Sequence, residues 1–308
     1  MPSAKKGKIS KEKILQCIKK SGYPFEQIVA SCLEEVKWYP TLNYAFTDFE
    51  TTVSREIDVL AEKHIWIESL SKQQNQPLVR LNAELLIECK QTKSPLVFFC
   101  RPKQISDFFC TPNNEIVQYS GIKSEVVVKP RNERDTYSFT ASQFLRFGKL
   151  SHYSKSKEKA TQFCKIYWKG KDLRADHAEV YQSFIVPLIK AVAYQKMLRR
   201  PKPTWRYFDM YLHYPIMIVK GDIFKVDSEC KSIEGVNHVE LVRNYYSAKI
   251  GGTYHIDVVS ESYFRKFVDD VLMPSIKTME KEVRKRDKAL AKGEMRVRSI
   301  DKLYHTLT

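Results

Sequence analysis

The chain has 308 residues, 43% of them hydrophobic, which allows one elaborated domain or two ordinary ones and argues against global disorder. No run of about 18 apolar residues is present, so a membrane-spanning helix is not expected, and the N-terminus, MPSAKKGKISKEK, lacks the apolar stretch of a secretion signal. The net charge of +16 points to an anionic partner, while seven scattered cysteines without a CxxC pair and seven dispersed histidines point to free thiols in a reducing, cytoplasmic setting and give no zinc pattern.

In chain order, Gly22 and Pro24 precede PFEQIVASCLEEVKW, where Phe25, Ile28, Val29, Cys32 and Val36 recur at helical spacing. Tyr39 to Phe46 reads as extended. Arg55 to Glu62, REIDVLAE, alternates Ile57, Val59 and Ala61 with a polar edge and predicts a strand. Residues 63–82 are polar and partly Gln-rich, and are expected to be an insertion. ELLIECK, from Glu84 to Lys90, predicts a buried strand, and Pro95–Cys100 its continuation or neighbour. Residues 101–175 are expected to elaborate the core, with one short β-like run at Glu125–Lys129. A long helix is predicted from Ala178 to Arg199, ended by Pro201-Lys202-Pro203. Strands then follow at Tyr214–Val219, Ile223–Val226, His238–Tyr246 and Thr253–Val259, turning at Gly221-Asp222 and Gly251-Gly252. A last helix begins near Ser260, and beyond Pro274 it is expected to continue as a charged, solvated helix. The order predicts an α/β fold, a mixed sheet flanked by helices.

The chemistry-bearing residues cluster early. If REIDVLAE and ELLIECK are neighbouring strands, Asp58 and Glu88 project from one face, and Lys90 joins them by strand alternation. Cys89 faces the opposite way, so its backbone carbonyl is a candidate ligand and its thiol is not. Two carboxylates and a carbonyl suit a hard divalent cation such as Mg²⁺, which keeps several of its waters. A lysine beside them can orient a water or stabilise charge on a phosphorane. The pattern Asp58…Glu88-Cys89-Lys90 resembles the PD-(D/E)xK nuclease superfamily. With GYPFEQIVASCLEE ahead of it, the chain is similar to the Mrr and Holliday-junction-resolvase-like branch. The resemblance implies a restriction-endonuclease-like αβββαβ core and Mg²⁺-dependent hydrolysis of DNA, with Mn²⁺ able to substitute. It makes Glu26 a further metal contact, through water or a second ion. As settings it implies prokaryotic defence or DNA processing. The sequence departs from the family where a glycine turn ahead of Asp58 is replaced by DFETTVS.

Charge placement adds a binding surface. Residues 1–22, 146–174 and 274–308 carry +6, +7 and +5, which leaves the rest of the chain at −2. The domain organisation expected is therefore a basic arm at 1–21, a nuclease-like domain at 22–273 and a basic helical tail at 274–308. Lys149, Lys155, Lys157, Lys159, Lys165, Lys169, Lys171, Arg284, Lys285 and Arg286 are the candidates for holding DNA phosphates, with aromatic residues interleaved in 146–174. DNA is the expected partner, alongside a second copy or a partner protein and without a membrane. The alternatives are a catalytically inactive nucleic-acid-binding protein on the same fold and an interaction subunit of a larger nuclease complex.

Overall fold

The computed structural model describes residues 9–68, 77–104, 107, 125–130, 137–140, 145–199, 208–292 and 294–297. Parts of the basic arm and tail, residues 1–8 and 298–308, lie outside them.

Helix α1 (Lys11–Lys20) buries none of its side chains, and its Ser10 cap accepts the N–H of Lys13. Helix α2 (Tyr23–Glu35) places Pro24 in its first turn and buries Phe25, Glu26, Val29, Ala30 and Leu33. Lys37 ends it in the left-handed region at φ 61°, and Lys63 donates to the carbonyls of Val36 and Lys37. Strand β1 (Tyr39–Thr47) then pairs antiparallel with β2 (Ser54–Glu68), and β2 with β3 (Pro77–Gln91).

The expected insertion at 63–82 is instead largely strand. Ile65 pairs with Leu81 and Ile67 with Val79, so apolar side chains continue into the core and both strands reach 15 residues. Only 69–76, at the tip, lies outside the described residues. Polar bonds hold the same half of the hairpin. Arg80 grips Asp209 through two bonds of 2.6 and 2.8 Å, and Arg199 reaches both Glu62 and Glu84.

After β3 the chain adds β4 (Leu96–Pro102), the short β5 (Glu125–Pro130) and β6 (Tyr137–Thr140), then β7 (Glu158–Lys169) and β8 (Asp172–Asp176). Helix α3 (residues 178–198, with a π-turn at Tyr181–Ile185) leads into β9 (Phe208–Lys220), which runs parallel to β3 over its whole length. Strands β10 (Ile223–Val226), β11 (Ile233–Gly235), β12 (His238–Tyr246) and β13 (Gly251–Ser260) follow. Helix α4 (residues 264–292) and β14 (Glu294–Val297) complete the described chain. The main sheet runs β1-β2-β3-β9-β13-β12-β7-β4-β10-β11, with β8 against β7; β14, β5 and β6 form a second, small sheet.

β4 is therefore neither continuation nor neighbour of β3. It sits five strands away between β7 and β10, because its apolar Leu96 and Phe98 pack with Phe163 of β7. The segment 101–175 likewise supplies a strand of the main sheet, β7. Helices cover both faces. Phe25, Val29 and Leu33 of α2 and Phe264, Phe267, Leu272, Ile276, Met279 and Val283 of α4 pack on one face. Ile185, Leu188, Ile189 and Val192 of α3 pack on the other. The part of α4 beyond Pro274 is thus anchored by buried side chains and not merely solvated. A π-turn at Val268–Leu272 immediately precedes the proline, which has no N–H to donate to the helix ladder.

Candidate functional site

The β3 run Leu85-Leu86-Ile87 ends in Glu88-Cys89-Lys90. Leu85, Ile87 and Cys89 enter the α2/α4 layer and Leu86 enters the α3 layer, so alternation turns Glu88 and Lys90 towards α3. On β2, Leu60 shares the α3 layer, which places Asp58 on that face too. The β2–β3 ladder runs up to Val59↔Ile87 and stops. Beyond that point β2 stays with β1 as far as Ser54, while β3 stays with β9 as far as Gln91. Asp58 lies at this fork. Its Oδ2 accepts the backbone N–H of Cys89 at 2.6 Å, satisfying a donor that the parting strands leave without a ladder partner.

Lys90 Nζ bonds the Glu88 carboxylate and stands 3.9 Å from Asp58 Oδ2. It also lies 5.6 Å from the centre of the Phe184 ring, which the π-turn of α3 brings over it. Glu26 comes from the other layer, in the first turn of α2. Just past the site, Lys220 extends over the Phe25 ring at 5.6 Å and pairs with Glu261. The strand ends there are closely packed: a Cβ on Gly221 would stand 2.5 Å from the Thr92 carbonyl oxygen.

Three carboxylates thus share one close ammonium. Burial pushes the Glu88 carboxyl up to about 7; the charges of Asp58 and Glu26 add to the shift and Lys90 opposes it. Glu26 is also raised, first by burial and then by Asp58. Burial works against the charged form of Lys90, but Glu88 and Asp58 outweigh it and hold its value above that of a free lysine. The Cys89 thiol is pushed well up by burial and stays an un-ionised core group.

Hard oxygen donors in this number suit a divalent cation. As placed, however, one oxygen of Asp58 is engaged by the Cys89 N–H and one of Glu88 by Lys90, and among the described residues no three carboxylate, histidine or cysteine groups stand ready around one ion. The fit is one of donor chemistry and surplus negative charge, and loading would require Lys90 to yield its place on Glu88.

The turn that replaces the glycine is organised by Asp48. It accepts the Glu50 N–H at 3.0 Å, Thr51 Oγ1 at 2.9 Å, Arg55 Nε at 2.7 Å and Lys190 Nζ at 2.7 Å, with Thr52 in the left-handed region at φ 58°.

The basic candidates do not form one face. Glu88 aligns with Met217, Met217 with Val258 and Val258 with Val239; continued through Leu241↔Ala160, that row meets Glu158. Lys155, Lys157 and Lys159 therefore lie at the Glu88 end of the sheet, four strand spacings or about 19 Å across. Strand β7 runs opposite to β3, so Lys165, Lys169 and Lys171 run away from the site, Lys169 by roughly 36 Å along the strand. Arg284 donates to the Trp66 carbonyl, in the half of the hairpin far from Asp58, while Lys285 and Arg286 bond Glu282 on their own helix. Lys149 sits in the short turn Phe147–Leu150, next to α4.

Reasoning from sequence missed Phe184, Lys220 and the Asp48 turn, whose roles arise from strands and helices distant in the chain. It also missed a buried cluster around Asp257 on β13. Asp257 accepts from His152 Nε2 at 2.9 Å, His238 Nε2 at 2.8 Å and the Tyr153 hydroxyl at 3.0 Å. No spacing in the sequence joins this aspartate to its histidines. His255 bonds Glu240 at 2.7 Å. No family model, no curated protein and no solved structure matches this chain.

Proposed function

We propose that the protein is a metal-dependent nuclease that hydrolyses phosphodiester bonds in DNA, with its active site at the fork between β2 and β3. The observation that carries this reading is the concentration of Glu26, Asp58, Glu88 and Lys90 where the apolar run Leu85-Leu86-Ile87 of β3 ends, with too little positive charge among them for three carboxylates. Placing under-compensated carboxylates at the end of a core strand costs stability, and binding a cation is a use that offsets the cost. The order α2, β1, β2, β3, α3, β9, with β9 parallel to β3, supports a restriction-endonuclease-like core into which β4–β8 are inserted.

In this reading Asp58, Glu88 and the Cys89 carbonyl would hold Mg²⁺ or Mn²⁺, with Glu26 contacting it through water or a second ion. The bound ion would polarise the phosphate and make its water a stronger nucleophile. Lys90, released from Glu88, orients the attacking water or stabilises charge on the phosphorane, and Phe184 limits water access to the ammonium. Lys220 and the Lys155–Lys159 group are the cations at the right end of the sheet for DNA phosphates. Among the described residues no helix is long and apolar enough to cross a membrane.

Plasmid and linear DNA incubated with Mg²⁺ or Mn²⁺ test the proposal. Cleavage is expected from the wild type, and a loss of about 10²-fold or more in Asp58→Ala and Lys90→Ala, the size seen when one transition-state contact is removed. Cleavage unchanged in both variants would sink the site. The direct Lys90–Glu88 ion pair favours a second reading, a DNA-binding protein in which the pair is structural; binding with no cleavage under either metal selects it.

A further inference from the structure

We propose that a second site, independent of the nuclease reading, binds the phosphate group of a small phosphomonoester in the cavity between β7, β12 and the turn at 151–156. This cavity has a volume of about 330 Å³, within the range of small-ligand pockets. Its wall includes His152, His238, Lys155, Lys159 and Lys225, together with Glu158 and Glu240.

The acids in that wall already have cations. Glu240 bonds Lys103 at 2.6 Å and His255 at 2.7 Å, and Glu158 bonds Lys225 at 3.1 Å. Lys159 is shared with Asp107. What remains facing the cavity is Lys155, which is exposed, and two imidazoles around one carboxylate. Asp257 is completely enclosed. Burial alone would raise its carboxyl, but the two histidines outweigh this and hold it far below the usual range, so it remains ionised.

The geometry favours an anion over a metal. Both histidines spend Nε2 on Asp257, so the three groups satisfy one another and do not converge on a cation. The second ring nitrogen of each is left for another partner. His152 Nδ1 is buried and has no hydrogen-bond partner, although the ring lies in the cavity wall at 3% side-chain exposure. A buried ring nitrogen left unpaired is costly, and a ligand that accepts its proton would offset that cost. His238 is the member of the cluster that reaches solvent, at 26% exposure. A phosphate oxygen can accept from protonated imidazole and from lysine ammonium together, and a dianion balances Lys155 plus one imidazolium. A half-open cavity of this size suits a phosphate on a small molecule and not a duplex, which would meet only the lysines at the rim.

Histidine side-chain NMR tests this on the full-length protein, without metal or DNA, using inorganic phosphate, AMP, adenosine and chloride at matched ionic strength. Phosphate and AMP are expected to move the His238 and His152 ring signals saturably, while adenosine and chloride leave them in place. Lys155→Glu, at an exposed position, should weaken phosphate binding at least tenfold, whereas Lys159→Gln, whose ammonium is already held by Asp107, should weaken it less. Ring signals that do not saturate with phosphate, or that chloride moves equally, would overturn the proposal. So would unchanged affinity in Lys155→Glu, or a response to a duplex oligonucleotide in the absence of any to phosphate and AMP. Lys155 and Lys159 also belong to the surface proposed to face DNA, but the phosphate and AMP readouts use neither metal nor DNA, so their failure leaves the cleavage assay of Asp58 and Lys90 standing.

Discussion

Two ionic clusters flank β2, and they are built on opposite principles. At one, Asp48 is fully enclosed and Lys190 nearly so, yet the charges are matched: Asp48 and Glu50 face Lys190 and Arg55, and Thr51, Tyr245 and a backbone N–H supply further bonds. Burial would raise Asp48, but Lys190, the Glu50 N–H and Arg55 outweigh it and hold the carboxyl well below its ordinary value. At the other, ten residues along the chain from Asp48, Asp58, Glu88 and Glu26 share Lys90, and Glu88 is driven the opposite way, up to about 7. A carboxylate pulled down by its surroundings is a stability device. One pushed up at a strand end is held in an environment that favours its neutral form until something else arrives.

The largest effect that separates the two should come from Lys190→Met. It leaves Asp48 buried with only Arg55 as a charged partner, and breaking a buried pair from one side costs about 3–5 kcal/mol. Urea unfolding should show a loss of that order, whereas Lys90→Met should cost distinctly less, because Glu88 can take up a proton when its cation is removed. Equal losses in the two variants would mean that the clusters are the same kind of object.

Next in size is the pH dependence of Glu88. Its folded value lies above the unfolded one, near 4.5, so the folded state binds the extra proton between pH 4.5 and about 7. Stability from this group is therefore present at low pH and falls as pH rises through that window, by roughly 3 kcal/mol at 1.36 kcal/mol per pKa unit. Glu88→Gln should lack this decline, so its stability relative to the wild type should improve from pH 5 to pH 8. Identical pH profiles would remove the argument for an under-compensated site. Divalent-ion binding carries the converse sign. A ligand must shed its proton, so Mn²⁺ affinity measured by calorimetry should fall about tenfold per pH unit below about 7 in the wild type.

How much of this was legible in the sequence follows from how far apart the partners lie along it. The alternation in REIDVLAE and ELLIECK was enough to put Asp58, Glu88 and Lys90 on one face, because period 2 is local. The length of the β2–β3 hairpin was not, since Lys63, His64 and Arg80 look like solvent-facing polarity until α2, Asn82 and Asp209 are brought against them. The place of β4 depended on which strands share its apolar face, which no local pattern encodes. Neither did the pattern show that 146–174 runs from one end of the sheet to the other, so that charges adjacent in sequence separate in space. Lys190 looked like one polar break in an apolar helix, and His152, His238 and Asp257 looked unrelated.

The smallest expected effect tests whether the surroundings of Lys90 belong to the site. Phe184 comes from a π-turn, a costly way to run a helix that needs a reason where it occurs. Its ring over the ammonium contributes about 0.5–1 kcal/mol as a cation–π contact and shields Lys90 from water. Phe184→Ala should change overall stability modestly, beyond the ordinary loss of partly buried apolar area, and Phe184→Leu should restore most of that packing. If the ring serves the site, Leu should not restore the ammonium's environment. The Lys90 side-chain NMR titration in Phe184→Leu would then track the Ala variant, while its unfolding midpoint tracks the wild type. A Lys90 titration restored together with stability would assign Phe184 to packing, and would leave the ion pair with Glu88 as what holds Lys90 in place.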